Sequence, residues 1–480
     1  MGKGLPKKWD YETEVAVIGA GAAGPTVAIA AHAAGAKVLI LERMAQPSGD
    51  MALSAGVTYA AGTSIQKKLG IEDSPDRMYK LFLACVPNSN EKEKERLRMI
   101  CDGSAEVIEW LLSLGVRIPA EMGTPGLTYN GMERVPEYAA IVPPIPGAHI
   151  CEGEGKGLQD ALVREVRKRS IEILTETRAR ELITDNGGEI IGISAECKDG
   201  ISYIKAKRAV VICSGHFAHN SNLIQLYCPN YGGFATYTAA GLEGDGLLMA
   251  QALGAAVANI SDFRVNVGMV YEPGKATYAY RWCPCILVNK KGRRFINDHA
   301  MYGTLAQAIL GQEGRMCFVI FDEKTRKNCG NNLLMPPLSA DLSREIDLGL
   351  AKCGSTIAEL APKIDIDPSA LEITVANFNE NTKLGKDPEF GSTQFLEPII
   401  HPPFYAMKIE PVISASTGGL DTNHEIQVLD VFGKVIPRLY AVGTAASLCP
   451  GYPGGGANMT SIFHLGRKAG RNAAHEPMIE

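Results

Sequence analysis

"EVAVIGAGAAGPTVAIAAHAAGAKVLILE", Glu14 to Glu42, holds a whole structural unit in one stretch. The apolar run Val15–Ile18 predicts a short buried strand. Gly19, Gly21 and Gly24 follow, then a helix of small residues, then a second strand over Lys37–Leu41 that ends at Glu42. A bare GxGxxG says little. Here it leaves a strand, opens a helix and meets an acid 18 residues after the third glycine, which is the full context of a dinucleotide fingerprint. The glycines, with Ala22 and Ala23 between them, let the backbone approach a pyrophosphate at a helix N-terminus, where unpaired N–H groups and the helix dipole favour an anion. Glu42 then stands where ribose hydroxyls would be bound. A merely structural glycine turn would need none of this context.

Working outward, 480 residues exceed the size at which one hydrophobic core keeps growing, so two domains are expected. The 51 glycines lie above the roughly 7% of ordinary proteins, as close backbone approach to a large cofactor would require. With 48 basic and 53 acidic side chains the formal charge is -5, and no basic footprint for nucleic acid is visible. The start, "MGKGLPKKWDYETE", has no apolar run behind its lysines. Runs such as "AVVICSG" are strand-sized, far short of the roughly 20 residues of a membrane span, so no integral membrane segment and a cytoplasmic location are expected. Of twelve cysteines only Cys283 and Cys285, in "RWCPC", come close together, and that spacing fits neither a zinc knuckle nor a CxxC pair. Buried free thiols and no metal site are expected.

Ser74-Pro75-Asp76 predicts a capped helix to about Cys85, and Asn90 starts another that runs into "AEVIEWLLSLGV". Residues 171–213 alternate short strands and turns, with a hairpin signal at Asn186-Gly187-Gly188. Near the other end "EIQVLDVFGKVIPRLYAVGT" leads to "YPGGGANMTSIFHLGRKAG", a glycine loop and helix that mirror the first, so the chain is expected to return to its cofactor domain. Between them the patterning changes, with strands at "PCILVNKKGRRFIN" and "MCFVIFD" and a helix from Asp367-Pro368 to about Asn379. The expected fold is α/β: a Rossmann-like cofactor domain in two parts, 1–263 and 404–480, with an inserted α+β substrate or cap domain at 264–403.

Taken in order, "VIGAGAAGPTVAIAAHAAGAKVLILER", "GDGLLMAQALGA", "LVNKKGRRFIND", "STGGLDTN", "LYAVGTAA" and the "YPGGGANMTSIFHLGRKAG" loop resemble the fumarate reductase and 3-ketosteroid dehydrogenase class of FAD flavoproteins over nearly the whole chain. The resemblance implies FAD held by Gly19, Gly21, Ala22, Ala23, Gly24, Glu42 and Arg43, then by Ser54, Gly56 and Ala179. It adds Ser214, Gly215 and Asp245, and finally Gly443, Thr444, Asn458 and Met459. Two places depart from the common pattern: the glycine pair of an "ATGG" strand end is "CSGH", Cys213–His216, and the acid often found after "YAAG" is Thr444. The loop "PSGDMALSAG" lacks the histidine of relatives with covalent flavin, so the FAD is expected to be noncovalent. The helix near Ala457 would aim its N-terminus at the flavin pyrimidine edge, where reduction leaves negative charge. Only one dinucleotide fingerprint is present, so an unidentified electron donor or acceptor other than a bound nicotinamide is expected.

In the dicarboxylate-reducing branch of this class, an arginine that transfers the proton sits seven residues beyond the phenylalanine of "GRRF"; from Phe295 that count reaches Tyr302. A histidine before "TGGL" and an arginine in the C-terminal glycine loop, which hold the carboxylate there, read Ala415 and Pro453 here. The resemblance to the ketosteroid branch is closer, with tyrosines at Tyr302 and Tyr452. It implies that Tyr452 and the backbone N–H of Gly456 hold a 3-keto oxygen and stabilise an enolate, while Tyr302 transfers the proton as hydride passes to the flavin. "YPGGG" resembles the Δ1 enzymes and "GLTYNGMERVPEYAAIVPPIPGAHI" the Δ4-(5α) enzymes; Δ4-(5α) is the reading adopted, with Δ1 the alternative. The expected substrate is a steroid-like ketone. The competing readings are reduction of another enone or unsaturated acid, with Arg281, Arg293 or Arg294 replacing the missing clamp, and a flavin-binding subunit without turnover. Tyr129 and Tyr138 are read as structural, and His216, His299 and His464 as packing or surface groups.

Overall fold

Five strands that run in the same direction carry the cofactor unit, and they end on the same edge. The computed structural model describes residues 6–129, 132–134, 136–272, 275–277, 283–300, 302–329, 338–339, 341–447 and 451–479. Strand β1 (Tyr11–Ile18) leads through the glycine loop into α1 (Ala23–Ala33) and β2 (Val38–Leu41). Helix α2 (Glu154–Lys168) precedes β3 (Glu172–Leu174), and β4 (Arg178–Thr184), β5 (Ile190–Cys197) and β6 (Gly200–Ile212) follow. A short helix α3 (Asp245–Gln251) comes next, and β7 (Gln427–Leu429), β8 (Val435–Ala441) and α4 (Ala457–His475) close the chain. The sheet order is β7-β8-β6-β1-β2-β3, with β4 and β5 hairpinned onto β6. β8, β6, β1, β2 and β3 are parallel in sequence along it.

The local chemistry explains these elements. β1 and β2 bury a continuous apolar run, as a strand covered on both faces must. The β4–β5 turn forms where expected, with Asp185 Oδ1 accepting from Gly187 N at 2.8 Å and Glu189 N at 2.9 Å. Helix Pro75–Cys85 is capped by Ser74, whose Oγ accepts from Arg77 N at 3.2 Å. The helix begun at Asn90 does not continue as expected. It ends at Asp102 and a second one runs over Ser104–Ser113. At the break, a Cβ on Gly103 would lie 2.0 Å from His464 Nδ1, so the imidazole fills the space a side chain would need. Helix α4 packs on α1 at a similar contact, where a Cβ on Gly470 would meet Val27 O at 2.4 Å.

The chain divides into two compact units, one of residues 1–230, 238–263 and 415–480, the other of residues 231–237 and 264–414. The second unit extends beyond the expected boundary at 403, because strand Phe404–Ser416 pairs antiparallel with Cys317–Asp322 and Ala351–Gly354. Its sheet also holds Ile286–Val288, and the expected helix from Asp367-Pro368 spans Pro368–Thr382. The two segments are thus an α/β cofactor unit and an α+β unit inserted into it. Among the described residues no helix is long and apolar enough to cross a membrane. No disulfide joins the cysteines whose side chains are described, and no described group of His, Cys, Asp or Glu could hold a metal ion.

Candidate active site

The carboxyl ends of β2, β1, β6 and β8 meet at one edge, the place where open α/β sheets bind their ligands. Gly19, at φ 104°, turns the chain out of β1 so closely against β6 that a Cβ would lie 2.5 Å from Cys213 O. Gly24 is tighter, its Cβ position 1.9 Å from Gly19 O. Gly21 differs: its nearest neighbour is Ser48 O at 3.5 Å, so its missing side chain is required by nothing in the protein itself. Beyond β8, Gly443 packs on Ala23, and Thr444 Oγ1 lies 3.7 Å from the Cβ position of Gly215.

Glu42 ends β2 buried, its two oxygens accepting from Ala20 N and Met44 N at 2.8 Å each. Burial raises its pKa, while these backbone bonds and the charge of Arg43 work the other way. A carboxylate has about four acceptor positions, so two such bonds leave capacity for hydroxyl donors. Next to it Arg43 and Arg178 bracket Asp245 and Glu243: Arg43 reaches Glu243 at 3.2 Å and Asp245 at 3.5 Å, and Arg178 pairs with Asp245 at 2.6 Å and Glu243 at 2.7 Å. Ala179, buried at the start of β4, follows Arg178. Ser54 organises the loop after β2, its Oγ donating to Met51 O at 2.8 Å and accepting from Gly56 N at 3.1 Å. A Cβ on Gly56 would strike Glu154 and Gly155 at the start of α2.

Helix α4 presents its N-terminus through Gly456, at φ 92°. The preceding loop is held from beneath: the Cβ positions of Gly451 and Gly454 fall against Val86 and Met132, and that of Gly456 falls 2.8 Å from Tyr59 N. Thr460 Oγ1 donates to Tyr59 O at 2.5 Å. Tyr452 is half-buried in this loop, and Asn458 and Met459 lie in the first turn of α4.

Every residue assigned to the cofactor lies in the first unit. A family model described as "FAD binding domain" matches residues 14–459. The chain belongs to this FAD_binding_2 family. It is 29% identical over 464 residues to a fumarate reductase (cytochrome) of Shewanella frigidimarina, covering 96% of this chain and 77% of the relative. Among solved structures, the open conformation of a flavocytochrome c3 fumarate reductase is similar at TM-score 0.79 and 27% identity, covering 97% of this chain and 78% of that one. The 3-ketosteroid-Δ4-(5α)-dehydrogenase of Rhodococcus jostii RHA1 is similar at TM-score 0.78 and 28% identity, covering 98% of both chains.

The cofactor of this family member is FAD, and the residues present suit it. Ser214 Oγ just after β6, Gln159 Oε1 on α2 beside Ala20, and Asn458 Oδ1 in the first turn of α4 are buried without a hydrogen-bond partner among the described residues. Buried polar atoms are rarely left so unless a bound group satisfies them. Gln159 and Arg178 escaped the sequence reading. Gln159 Nε2 donates to Ala20 O at 3.0 Å and steadies the glycine loop from a helix 139 residues away, a separation that carries no local signal.

Tyr302 opens helix Tyr302–Leu310 of the second unit; its side chain and Arg281 lie outside the described residues. Arg294 is no clamp for a substrate. It is buried, paired with Asp298 at 2.5 Å, Asp387 at 2.6 Å and Glu389 at 3.3 Å, and lies over the rings of Phe378 and Phe390. Arg293 is exposed. His299 is a packing group, 3.0 Å from Cys283 O, 4.0 Å from Cys285 Sγ and beside Phe395. Hydrogen bonds from Cys283 and His299 pull the Cys285 thiol down to about 6 against its burial. Tyr138 is a hydrogen-bond partner of Cys85.

Proposed function

We propose that this flavoprotein is an oxidoreductase that introduces or reduces a carbon–carbon double bond next to a ketone, in a substrate resembling a 3-ketosteroid. What carries the reading is the missing charge. The positions at which the dicarboxylate branch places cations hold Tyr302, Ala415 and Pro453, and Arg294 is already neutralised by buried acids. A dicarboxylate brought out of water without paired cations would be costly, whereas a neutral ketone needs only hydrogen-bond donors.

When bound, FAD supplies hydride exchange. Gly19, Gly21 and Gly24 would face its pyrophosphate at the N-terminus of α1, Glu42 its ribose, and the start of α4 the anionic edge of its reduced ring. Tyr452 and the backbone N–H of Gly456 would hold the keto oxygen, most strongly as an enolate develops. The carbon next to the carbonyl is thereby acidified. Tyr302 would take its proton as phenolate, or return it as phenol in the reductive direction. Oxidation at Δ4-(5α) is the reading adopted over Δ1, on the resemblance of the segment from Gly126 to Ile150.

The sequence similarity to a fumarate reductase favours a second reading, reduction of another enone or an unsaturated acid. Anaerobic spectral titration separates the two. Saturated 3-ketosteroids should reduce the flavin, or their unsaturated partners reoxidise it, while fumarate and similar acids leave its spectrum unchanged. Rapid, saturable reoxidation by fumarate would sink the ketone reading and direct attention to Arg281 and Arg293.

A further inference from the structure

The "CSGH" that ends β6 departs from the family's glycine pair, and the structure shows what the histidine does there. His216 is 2% exposed, with its ring edge-on to Phe263 at 5.9 Å. Its Nδ1 accepts from the backbone N–H of Ala218 at 3.2 Å, which assigns the neutral tautomer with hydrogen on Nε2. That Nε2–H donates to Asp50 Oδ2 at 2.9 Å. The other oxygen of Asp50 accepts from Ala239 N at 2.7 Å. One carboxylate thus joins the loop after β2, the end of β6 and the segment before α3.

We propose that His216 and Asp50 are positioning residues, a latch that holds the 48–56 loop against the cofactor cradle and so governs how tightly FAD is retained. The loop's own bonds run the other way. Ala52 N to Gly49 O, Ser54 N to Met51 O and Ser54 Oγ to Met51 O are internal, and Gly155 N to Ser54 O ties it to α2. Asp50 supplies the ties toward β6. The loop also lies on the fingerprint, since a Cβ on Gly49 would sit 3.1 Å from Gly21 Cα. Releasing Asp50 therefore frees the backbone that covers the pyrophosphate-facing glycine. A hydrogen bond to an ionised carboxylate from a buried ring is of the stronger kind. The inference needs only the family's FAD and stands or falls apart from the ketone reading.

The test uses purified holoprotein, with FAD dissociation followed by flavin fluorescence, midpoint potential by anaerobic dye titration, and urea unfolding of the apoprotein as a control for global stability. His216→Ala should bind FAD roughly 10-fold more weakly and with a shifted potential, as loss of one charge-assisted hydrogen bond implies. His216→Gln, whose amide nitrogen can reach the place of Nε2, should stay within about threefold of wild type. Asp50→Ala, which also loses the bond from Ala239 N–H, should weaken FAD at least as much as His216→Ala, and the double variant should be no worse than Asp50→Ala, because the latch bond can be removed only once. Wild-type affinity and potential in His216→Ala, no rescue by glutamine, or additive losses would overturn the latch. Should His216→Ala fail to fold, Asp50→Ala decides, since Asp50 is the more exposed partner at 28%; unchanged FAD retention there overturns the proposal.

Discussion

Replacing Gly24 and Gly21 by alanine, one at a time, separates the two tasks of the glycine loop. At Gly24 the new Cβ would lie 1.9 Å from Gly19 O and 2.9 Å from Gly19 C, both backbone atoms with no rotamer to escape into. A carbon–oxygen approach of about 3.3 Å is ordinary, so the Gly19 peptide must move by roughly 1.4 Å. Overpacking typically costs about 1–3 kcal/mol, and a clash with backbone belongs at the upper end, about 2–3 kcal/mol, against which alanine's better helix propensity at the start of α1 returns about 1 kcal/mol. Gly24→Ala should therefore destabilise the apoprotein by about 1–2 kcal/mol and weaken FAD binding as well, because Gly19 belongs to the same loop. Gly21 is not among the positive-φ glycines, and its Cβ would meet Ser48 O at 3.5 Å and Gly49 Cα at 3.8 Å, ordinary contacts. Gly21→Ala should leave apoprotein stability within about 0.5 kcal/mol of wild type. Its methyl group would instead occupy the approach to the pyrophosphate, weakening FAD by roughly 10- to 100-fold, or about 1.4 to 2.7 kcal/mol. Urea unfolding of the apoproteins and fluorescence titration with FAD measure the two quantities separately. Wild-type FAD affinity in Gly21→Ala would remove the pyrophosphate from this loop, and wild-type stability in Gly24→Ala would refute the steric argument.

Denaturation should release intact FAD; flavin remaining on the chain after precipitation would contradict noncovalent binding. Burial raises the pKa of Glu42, so its contribution to apoprotein stability is fully present below the unfolded value and declines as pH rises through the folded one; Glu42→Gln should flatten that part of the stability–pH curve and reduce FAD retention. Arg294→Leu should cost about 3–5 kcal/mol in urea unfolding, because Asp298 and Asp387 would be left buried and unpaired. Tyr302→Phe should slow single-turnover flavin reduction by a 3-ketosteroid roughly 100-fold with binding retained, whereas Tyr452→Phe should weaken binding and turnover together. Near-wild-type chemistry in Tyr302→Phe would leave the proton-transfer group to be found elsewhere.

The cofactor domain was legible because its signals are local. Strand, glycine turn, helix and acid succeed one another within Glu14–Glu42, and each follows from backbone freedom, helix-terminal N–H groups or apolar runs that a short window contains. The helix caps at Ser74 and Asn90 and the turn after Thr184 were legible for the same reason. Other features rest on atoms far apart in sequence. Gly103 is a residue type that commonly ends helices, but what forbids a side chain there, the ring of His464 arriving from α4, is not visible in any local window. The second unit reaches Ser414 because Phe404–Ser416 finds its partner strands there. Arg294, a candidate clamp by its place in "GRRF", is consumed by Asp387, 93 residues later, since a buried guanidinium must be neutralised by whichever acids the fold brings to it. The sequence by itself determined which chemistry the backbone can offer a dinucleotide; only the tertiary structure decided which side chains remain free to use it, because burial and pairing are set by neighbours that the chain order does not reveal.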